Sequence, residues 1–436
     1  MRIKTDMSYT YFLNPPTTVA TATTVATATT VATTAPTATV ATATAATAAT
    51  ATTVNPFTVT ILSNHNESKL LQGLAGELIK VPWIRILSEE HPSTDLLLVV
   101  GDSLFLHETL KARTSTYRVW VYLLQRYETL NPDHVATINA KADRVFATHR
   151  EWRTLQRGQG ITRPIDVLPI AVAAVVPTAA TRQNGRALLS IPEDVFLILS
   201  MSRNTPHKRY DILIQAFVEL IVKHPQKPIF LMCVCDKGNL FDLFADELKR
   251  KGAVIADFSN RLLVSARHDS LSDEDVGLFY KIADCGVSCA DGGALGLCVL
   301  EHMAHGIPQV VSNIVAHRDI CKADNSILVE PVVRIQVAGE FVQLVSPSSV
   351  AQALETYVLN EPLRKGHGLA AATTVTAAHG LAAATAAASA HGLAAATVVA
   401  AAHGLAATAA TATAATSSIV KRLDLLRQER DIDAAP

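Results

Sequence analysis

Two short stretches gather residue types that can hold an anion. In "SMSRNTPHKRYDILIQAF" an apolar run ends at Ser202, Arg203 follows at once, and Lys208 comes just before a helical pattern. A guanidinium gives a forked contact and an ammonium a point charge, so the pair can bracket a diphosphate. Taken alone, the pair also reads as solvated loop charges. In "GALGLCVLEHMAHG", Gly296 permits a tight entry, and the N–H groups of Leu297, Cys298 and Val299 open a helix. Such amides, aided by the helix dipole, attract anions. Glu301 lies about one turn in, where a carboxylate can accept both hydroxyls of a ribose. Gly306 ends the helix and Pro308 starts the next strand. Taken alone, this stretch reads equally as a strand–loop–helix with a solvated Glu301.

The elements that position these residues recur in a regular order. "SYTYFLNPP", "TVTILSN", "DLLLVV", "RVWVYLL", "ADRVFAT" and "PIDVLPI" read as strands, and "ESKLLQGLAGELIK" has helical spacing. Continuous apolar strands alternating with helices predict a parallel sheet covered on both faces. "TAATRQNGRALLSIPED" (178–194) is polar and mixed and reads as a linker. A second series follows, with strands at "FLILSMS", "PIFLMCVC", "NRLLVSA", "GVSCA", "PQVVSN" and "SILVEP". Its helices are "YDILIQAFVELIVKHP", "GNLFDLFADELKRKG" and "SDEDVGLFYKIADCG", the last beginning with an N-cap Ser272. The expected class is α/β, with two Rossmann-like domains facing a cleft and a ligand at the C-terminal ends of the strands. The domains fall at 1–178 and 187–365, followed by an Ala-rich segment at 366–418 and a charged amphipathic helix at 419–436.

Composition narrows the function classes. The formal charge is −1 and the pI about 6.9, so no global basic field recruits nucleic acid or anionic membrane. "MRIKTDMSYTYF" lacks the apolar core of a signal peptide. Thr17 to Val54 holds only Thr, Ala, Val and one Pro, and 366–418 is built from Ala, Thr, His, Gly, Leu, Val and Ser. Neither tract is apolar enough to predict a membrane span, though peripheral contact stays open. All six cysteines lie between Cys233 and Cys321, without a CxxC pair. Buried free thiols in a reducing, cytoplasmic compartment are expected, rather than disulfides or a zinc site. His367, His379, His391 and His403 each begin "HGLAA" at a spacing of 12, which advances a helix about a third of a turn beyond three. They spiral rather than line one face, so a filler segment is expected and no metal array.

The two stretches together resemble glycosyltransferase family four, the retaining GT-B enzymes that use nucleotide sugars. The pieces carrying the resemblance stand in the family's order: "SRNTPHKRYDILIQAF", "HDSLSDEDVGLFYKIADCGVSCADG", "GLCVLEHMAHGIPQVVSN" and "SILVEP". The resemblance spans Phe196 to Pro331 and extends weakly into "ADRVFATHREWRTLQRGQGITRPIDVLPIAV". It implies that Arg203 and Lys208 neutralise the donor diphosphate and the charge developing on the leaving nucleotide. It implies that the amides of Leu297 to Val299 hold phosphate, that Glu301 takes the ribose, and that the loop 266–270 passes near the base. The donor would be a UDP- or GDP-sugar, with no cofactor and no bound metal. The acceptor would be a glycan, protein or small molecule entering from the first domain.

Two departures accompany the resemblance. The family carries a sugar-contacting acid eight residues before the Glu301 position, and here that position is Gly293. Asp291, two residues away, is the candidate to compensate. The family also offers a histidine near the sugar after a central strand of the first domain, whereas "YLLQRYE" has none, leaving Arg126 and Glu128 unassigned. A retaining glycosyltransferase is the leading expectation. The alternatives are a degenerate GT-B protein that binds nucleotide without transfer, a nucleotide-sugar epimerase of the same fold, and an interaction protein that uses the Ala/Thr tracts as contacts.

Overall fold

The structure is a computed structural model that describes residues 57–63, 84–87, 94–113, 117–167, 172, 178–236, 238–265, 271, 273–294, 296–337 and 340–379. Several expected features lie outside these residues: the strand at "SYTYFLNPP", the helix at "ESKLLQGLAGELIK", the tract 17–54, the cap Ser272, the loop 266–270 and the C-terminal helix.

The first sheet is parallel throughout. It contains β1 (Phe57–Ser63), β2 (Ile84–Leu87), β3 (Leu96–Gly101), β4 (Arg118–Leu123), β5 (Arg144–Ala147) and β6 (Ile165–Val167). Their order is β2-β1-β3-β4-β5-β6. Every residue of β3 is buried, which is why "DLLLVV" has no polar alternation. Helices α1 (Ser103–Lys111), α2 (Pro132–Lys141) and α3 (Arg150–Gly158) follow strands β3, β4 and β5. Asp102 caps α1 by accepting from Phe105 N, and Asn131 caps α2 ahead of Pro132. Leu97, Val99, Leu106, Val121, Leu123, Ile138 and Trp152 form the core beneath them.

The second sheet is preceded by α4 (Ala179–Leu188). It runs through β7 (Phe196–Met201), α5 (Tyr210–Lys223), β8 (Ile229–Val234), α6 (Leu240–Arg250), α7 (Ile255–Phe258), β9 (Leu262–Ser265) and α8 (Asp273–Ile282). It continues with β10 (Cys285–Ser288), α9 (Leu297–Ala304), β11 (Gln309–Ser312), α10 (Val315–Arg318) and β12 (Ser326–Val329). The order is β12-β11-β10-β7-β8-β9, again all parallel. Counted from β7 this is the 3-2-1-4-5-6 arrangement, whose direction reverses between β7 and β10. In sheets of this kind ligands bind outside the C-terminal ends of those two strands. An antiparallel ribbon, β13 (Val333–Val337) and β14 (Glu340–Leu344), precedes α11 (Pro347–Leu359) and α12 (Glu361–His379).

The expected linker is a helix. Thr178 caps α4 by accepting from Thr181 N, and the helix packs on α8. Its two arginines turn inward, while Thr181, Gln183 and Asn184 face solvent. Arg186 is only 2% exposed and donates to the carbonyls of Ile282, Glu193 and Val195. Arg182 and Arg186 both reach Asp284, at 2.7 and 2.8 Å, and Asp284 also accepts from Leu197 N. A half-buried carboxylate thus fastens α4 to the sheet, chemistry that a polarity reading takes for surface.

The first repeat of the Ala-rich segment is no filler either, because it forms most of α12 and packs on α9. Ala371 and Val375 are fully buried, Tyr357 Oη and His367 Nδ1 are 2.8 Å apart, and Asn325 Nδ2 donates to Thr374 Oγ1. A Cβ on Gly368 would collide with the Gly306 carbonyl, so the glycine permits the close approach. Among the strands, the edge strand β2 and the β13–β14 ribbon escaped the sequence reading, and β13 is exposed along its whole length. All six cysteines are free, and all but Cys298 are buried.

Candidate active site

Arg203 and Lys208 sit where β7 ends at the reversal point. Pro206–Lys208 makes one 3-10 turn, and Arg209 takes a left-handed φ of 54° before α5 begins. Arg203 is exposed, while Lys208 is half-buried. Among the described residues neither forms an ion pair. Burial holds the Lys208 ammonium below the usual lysine range. Cys298 offsets this, and the positive charges of Arg126 and Arg203 add to it. Neighbouring His207 is pushed down to about 4 by burial and by Lys208, Arg126 and Arg203. Several cations therefore share one small volume.

The other wall is the start of α9. Gly296 caps it at φ 57°, and a Cβ there would lie 3.1 Å from the Ala316 carbonyl, so glycine is required by both backbone and space. Leu300 N bonds back to Gly296 O at 2.9 Å. The amides of Leu297, Cys298 and Val299 precede the first intrahelical bond and have no acceptor within the helix. Burial pushes the Cys298 thiol up to about 11, with Glu301 raising it further and Lys208 opposing. Asp291 N–H donates to the His207 carbonyl at 3.0 Å, so the turn carrying Lys208 lies against the loop that leads into α9. Glu301 Oε2 accepts a 2.8 Å hydrogen bond from the hydroxyl of buried Tyr280, which fixes the carboxylate on the α9 surface. The structure thus brings Lys208, Cys298 and Glu301 onto one wall, with Arg203 within electrostatic reach.

The loop between β10 and α9 does different work. Asp291 is 7% exposed, and its carboxyl is raised to about 6 by burial, with the nearby Arg209 opposing. Arg209 Nη1 lies 3.8 Å from Asp291 Oδ2, and the Tyr127 hydroxyl donates to Oδ1 at 3.4 Å. The Asp291 carboxylate is thereby held by protein partners. A Cβ on Gly292 would run into the Tyr127 ring, so this glycine serves close packing. Gly293 N–H donates to the Arg126 carbonyl at 2.9 Å. Ala294 O accepts from Thr148 Oγ1 and Trp152 Nε1, both at 3.0 Å. The stretch 291–294 is therefore where the two sheets' segments grip each other.

Arg126, Tyr127, Thr148 and Trp152 come from the first half, and sequence gave them no role. The signal available was position: Arg126 and Tyr127 follow the continuous apolar run of β4, and Thr148 follows β5, at the strand ends where ligands bind. A separate cleft of about 680 Å³ opens between α3 and α10, lined by residues including Glu128, Glu151, Gln159 and Arg318. Val315 and Arg318 face that cleft, whereas Ala316 and His317 back the Gly293–Gly296 loop. It is thus separated by α10 from the cation-and-amide wall. Among the described residues no His, Cys, Asp and Glu group could hold a metal, and no helix is long and apolar enough to cross a membrane.

Comparison with known proteins agrees with this architecture. Residues 181–365 match a family model described as glycosyl transferases group 1. A sequence search of curated proteins finds no match. Among solved structures, Anabaena Alr3699/HepE in complex with UDP and glucose is similar at a TM-score of 0.57 and 12% identity, covering 74% of this chain and 96% of that one. Sucrose-phosphate synthase from Thermosynechococcus elongatus is similar at 0.55 and 14%, covering 75% and 96%. A glycosyltransferase from Rickettsia africae is similar at 0.55 and 15%, covering 76% and 96%. At these identities the likeness is one of fold. The chain has the GT-B fold of two Rossmann-like halves, and its residues 181–365 carry the pattern of glycosyl transferases group 1.

Proposed function

We propose that this protein is a retaining glycosyltransferase that moves a sugar from a UDP- or GDP-sugar to an acceptor entering from the first half. The observation that carries the proposal is the placement of Lys208, on the turn that lies against the loop into α9 at the reversal point of the second sheet, with no acid paired to it among the described residues. Cations and helix amides aimed into one crevice suit a diphosphate. Glu301, braced by Tyr280, takes the ribose hydroxyls.

The cations act most strongly as the sugar–phosphate bond breaks and charge builds on the leaving nucleoside diphosphate. The acceptor oxygen bonds to the anomeric carbon on the face the diphosphate leaves, and the acceptor proton passes to the departing phosphate. No protein nucleophile is required. Arg203, Lys208 and the α9 dipole supply the positive charge, so no cofactor enters the scheme. Six free thiols suit a reducing, cytoplasmic setting.

A second reading has its own observation. Gly293 supplies no carboxylate, and the Asp291 carboxylate is held by Arg209 and Tyr127 rather than offered to a sugar. A protein that binds the nucleotide without transfer would have this arrangement. Incubation with UDP- and GDP-sugars, scored for release of nucleoside diphosphate and for anomeric configuration of the product, separates the two. Transfer with retention supports the first. Binding without turnover supports the second, and absence of any nucleotide binding contradicts both.

A further inference from the structure

We infer that Thr148 and Trp152 of the first half are positioning residues of the donor site: by holding the Ala294 carbonyl they set the loop that enters α9, so the phosphate wall is completed across the two halves. This rests on the nucleotide-binding reading above. Thr148 stands directly after β5, and Trp152 lies in the first turn of α3. Both side chains are buried. Thr148 Oγ1 and Trp152 Nε1 each donate to Ala294 O at 3.0 Å. Ala294 is two residues before Gly296, the left-handed cap of α9. A carbonyl that accepts two bonds from buried donors has its peptide plane fixed, and here that plane leads into the cap. One residue earlier, Gly293 N–H donates to the Arg126 carbonyl at 2.9 Å, so the first half pins the loop at two successive residues.

The rear of the cap is held from the same side. A Cβ at Gly296 would meet Ala316 O and His317 Cδ2, both at 3.1 Å, so α10 stands directly behind the cap. The His317 ring is itself tied to the end of β11, with Nδ1 2.9 Å from Ser312 O. α10 is in turn seated on the first half. Val315 joins Trp152, Ile161 and Leu106 in one buried apolar cluster. Arg318 Nη2 lies 3.6 Å from Glu128 Oε1, and His149 Nδ1 lies 4.0 Å from Asp319 Oδ2. The loop in front of Gly296 and the helix behind it therefore both take their place from α3 and the residues beside it. The amides of Leu297 to Val299 open from that cap, so their aim depends on first-half side chains that support the wall from behind.

Calorimetric titration of the full chain with UDP and GDP tests this well below the unfolding temperature, using whichever nucleotide the wild type binds. Circular dichroism checks that each variant is folded. Thr148→Val removes the hydroxyl and keeps the branched shape, and Trp152→Phe removes the indole N–H. Each weakens binding several-fold, and the double variant weakens it about tenfold or more, through lost hydrogen bonds that orient the wall. Thr148→Ser keeps the hydroxyl and binds as the wild type does, a rescue that a merely space-filling residue does not show. Thr148→Val and Thr148→Ser decide the matter should Trp152→Phe fold poorly. Unchanged affinity in Thr148→Val or in folded Trp152→Phe, or a Thr148→Ser form as weak as Thr148→Val, overturns the inference while leaving the donor site of Arg203 and Lys208 intact. Absence of binding by the wild type instead removes the donor site itself, and this inference with it.

Discussion

The Gly293 amide donates to the Arg126 carbonyl at 2.9 Å, so the residue where the resemblance led us to expect an acid is a backbone tie between the two halves. The tie uses only main-chain atoms and leaves the side-chain position open. A Cβ at 293 would meet only Ala316 Cβ at an ordinary 3.7 Å, and its φ is not in the left-handed region.

Gly293→Glu therefore folds, with a stability change within about 0.5 kcal/mol. If the missing carboxylate limits sugar handling, nucleotide-sugar turnover rises about tenfold or more, the worth of one charge-assisted hydrogen bond. Steady-state rates at saturating donor check this. A folded variant with unchanged or lower turnover shows that the acid's absence is not what limits the reaction.

Gly296→Ala strains a left-handed cap and pushes a methyl to 3.1 Å from the Ala316 carbonyl. A loss of about 1–2 kcal/mol follows in urea unfolding, together with weaker nucleotide binding. Equal stability would mean that the α9 entry relaxes without cost.

Glu301→Ala removes the acceptor assigned to the ribose, and nucleoside diphosphate binding weakens by about 1–3 kcal/mol. Tyr280→Phe keeps the carboxylate but removes its 2.8 Å donor, and costs about 1 kcal/mol through misorientation. Titrations of the two variants order the effects. Equal affinities for wild type and Glu301→Ala contradict the ribose role.

Asp291 gives a pH signature. Burial lifts its folded pKa to about 6, above the ordinary aspartate value of 3.8, so the folded state binds the extra proton. Its contribution to stability is complete below about pH 4 and is lost as pH rises to about 6, on the order of 3 kcal/mol. Asp291→Asn removes that component. The wild-type-minus-variant difference in unfolding free energy falls across this window, and a flat difference refutes the shift.

Much of this fold was legible because its strands are buried on both faces. "DLLLVV" and "FLILSMS" are continuous apolar runs and appear as β3 and β7. The left-handed cap of α9 was legible too, since Gly296 leads it, and so was the place of Lys208 ahead of a helix. What stayed hidden depends on long-range partners. Arg182 and Arg186 look solvated until Asp284, about a hundred positions later, buries them with α4. His367 and Val375 look like repeat filler until Tyr357 and the α9 groove receive α12. Asp291 read as a spare acid for the sugar because neither Arg209 nor Tyr127 is marked as its partner by spacing. The backbone tie from Gly293 to Arg126 was invisible for the same reason, since its two partners lie in different halves.

The central claim is that a nucleoside diphosphate sits against the α9 entry. A crystal structure of the full chain with UDP tests it most directly. The account places a phosphate between Lys208 Nζ, the Arg203 guanidinium and the Leu297–Val299 amides, with the ribose at Glu301. A nucleotide found instead in the 680 Å³ cleft between α3 and α10, with that wall empty, contradicts it.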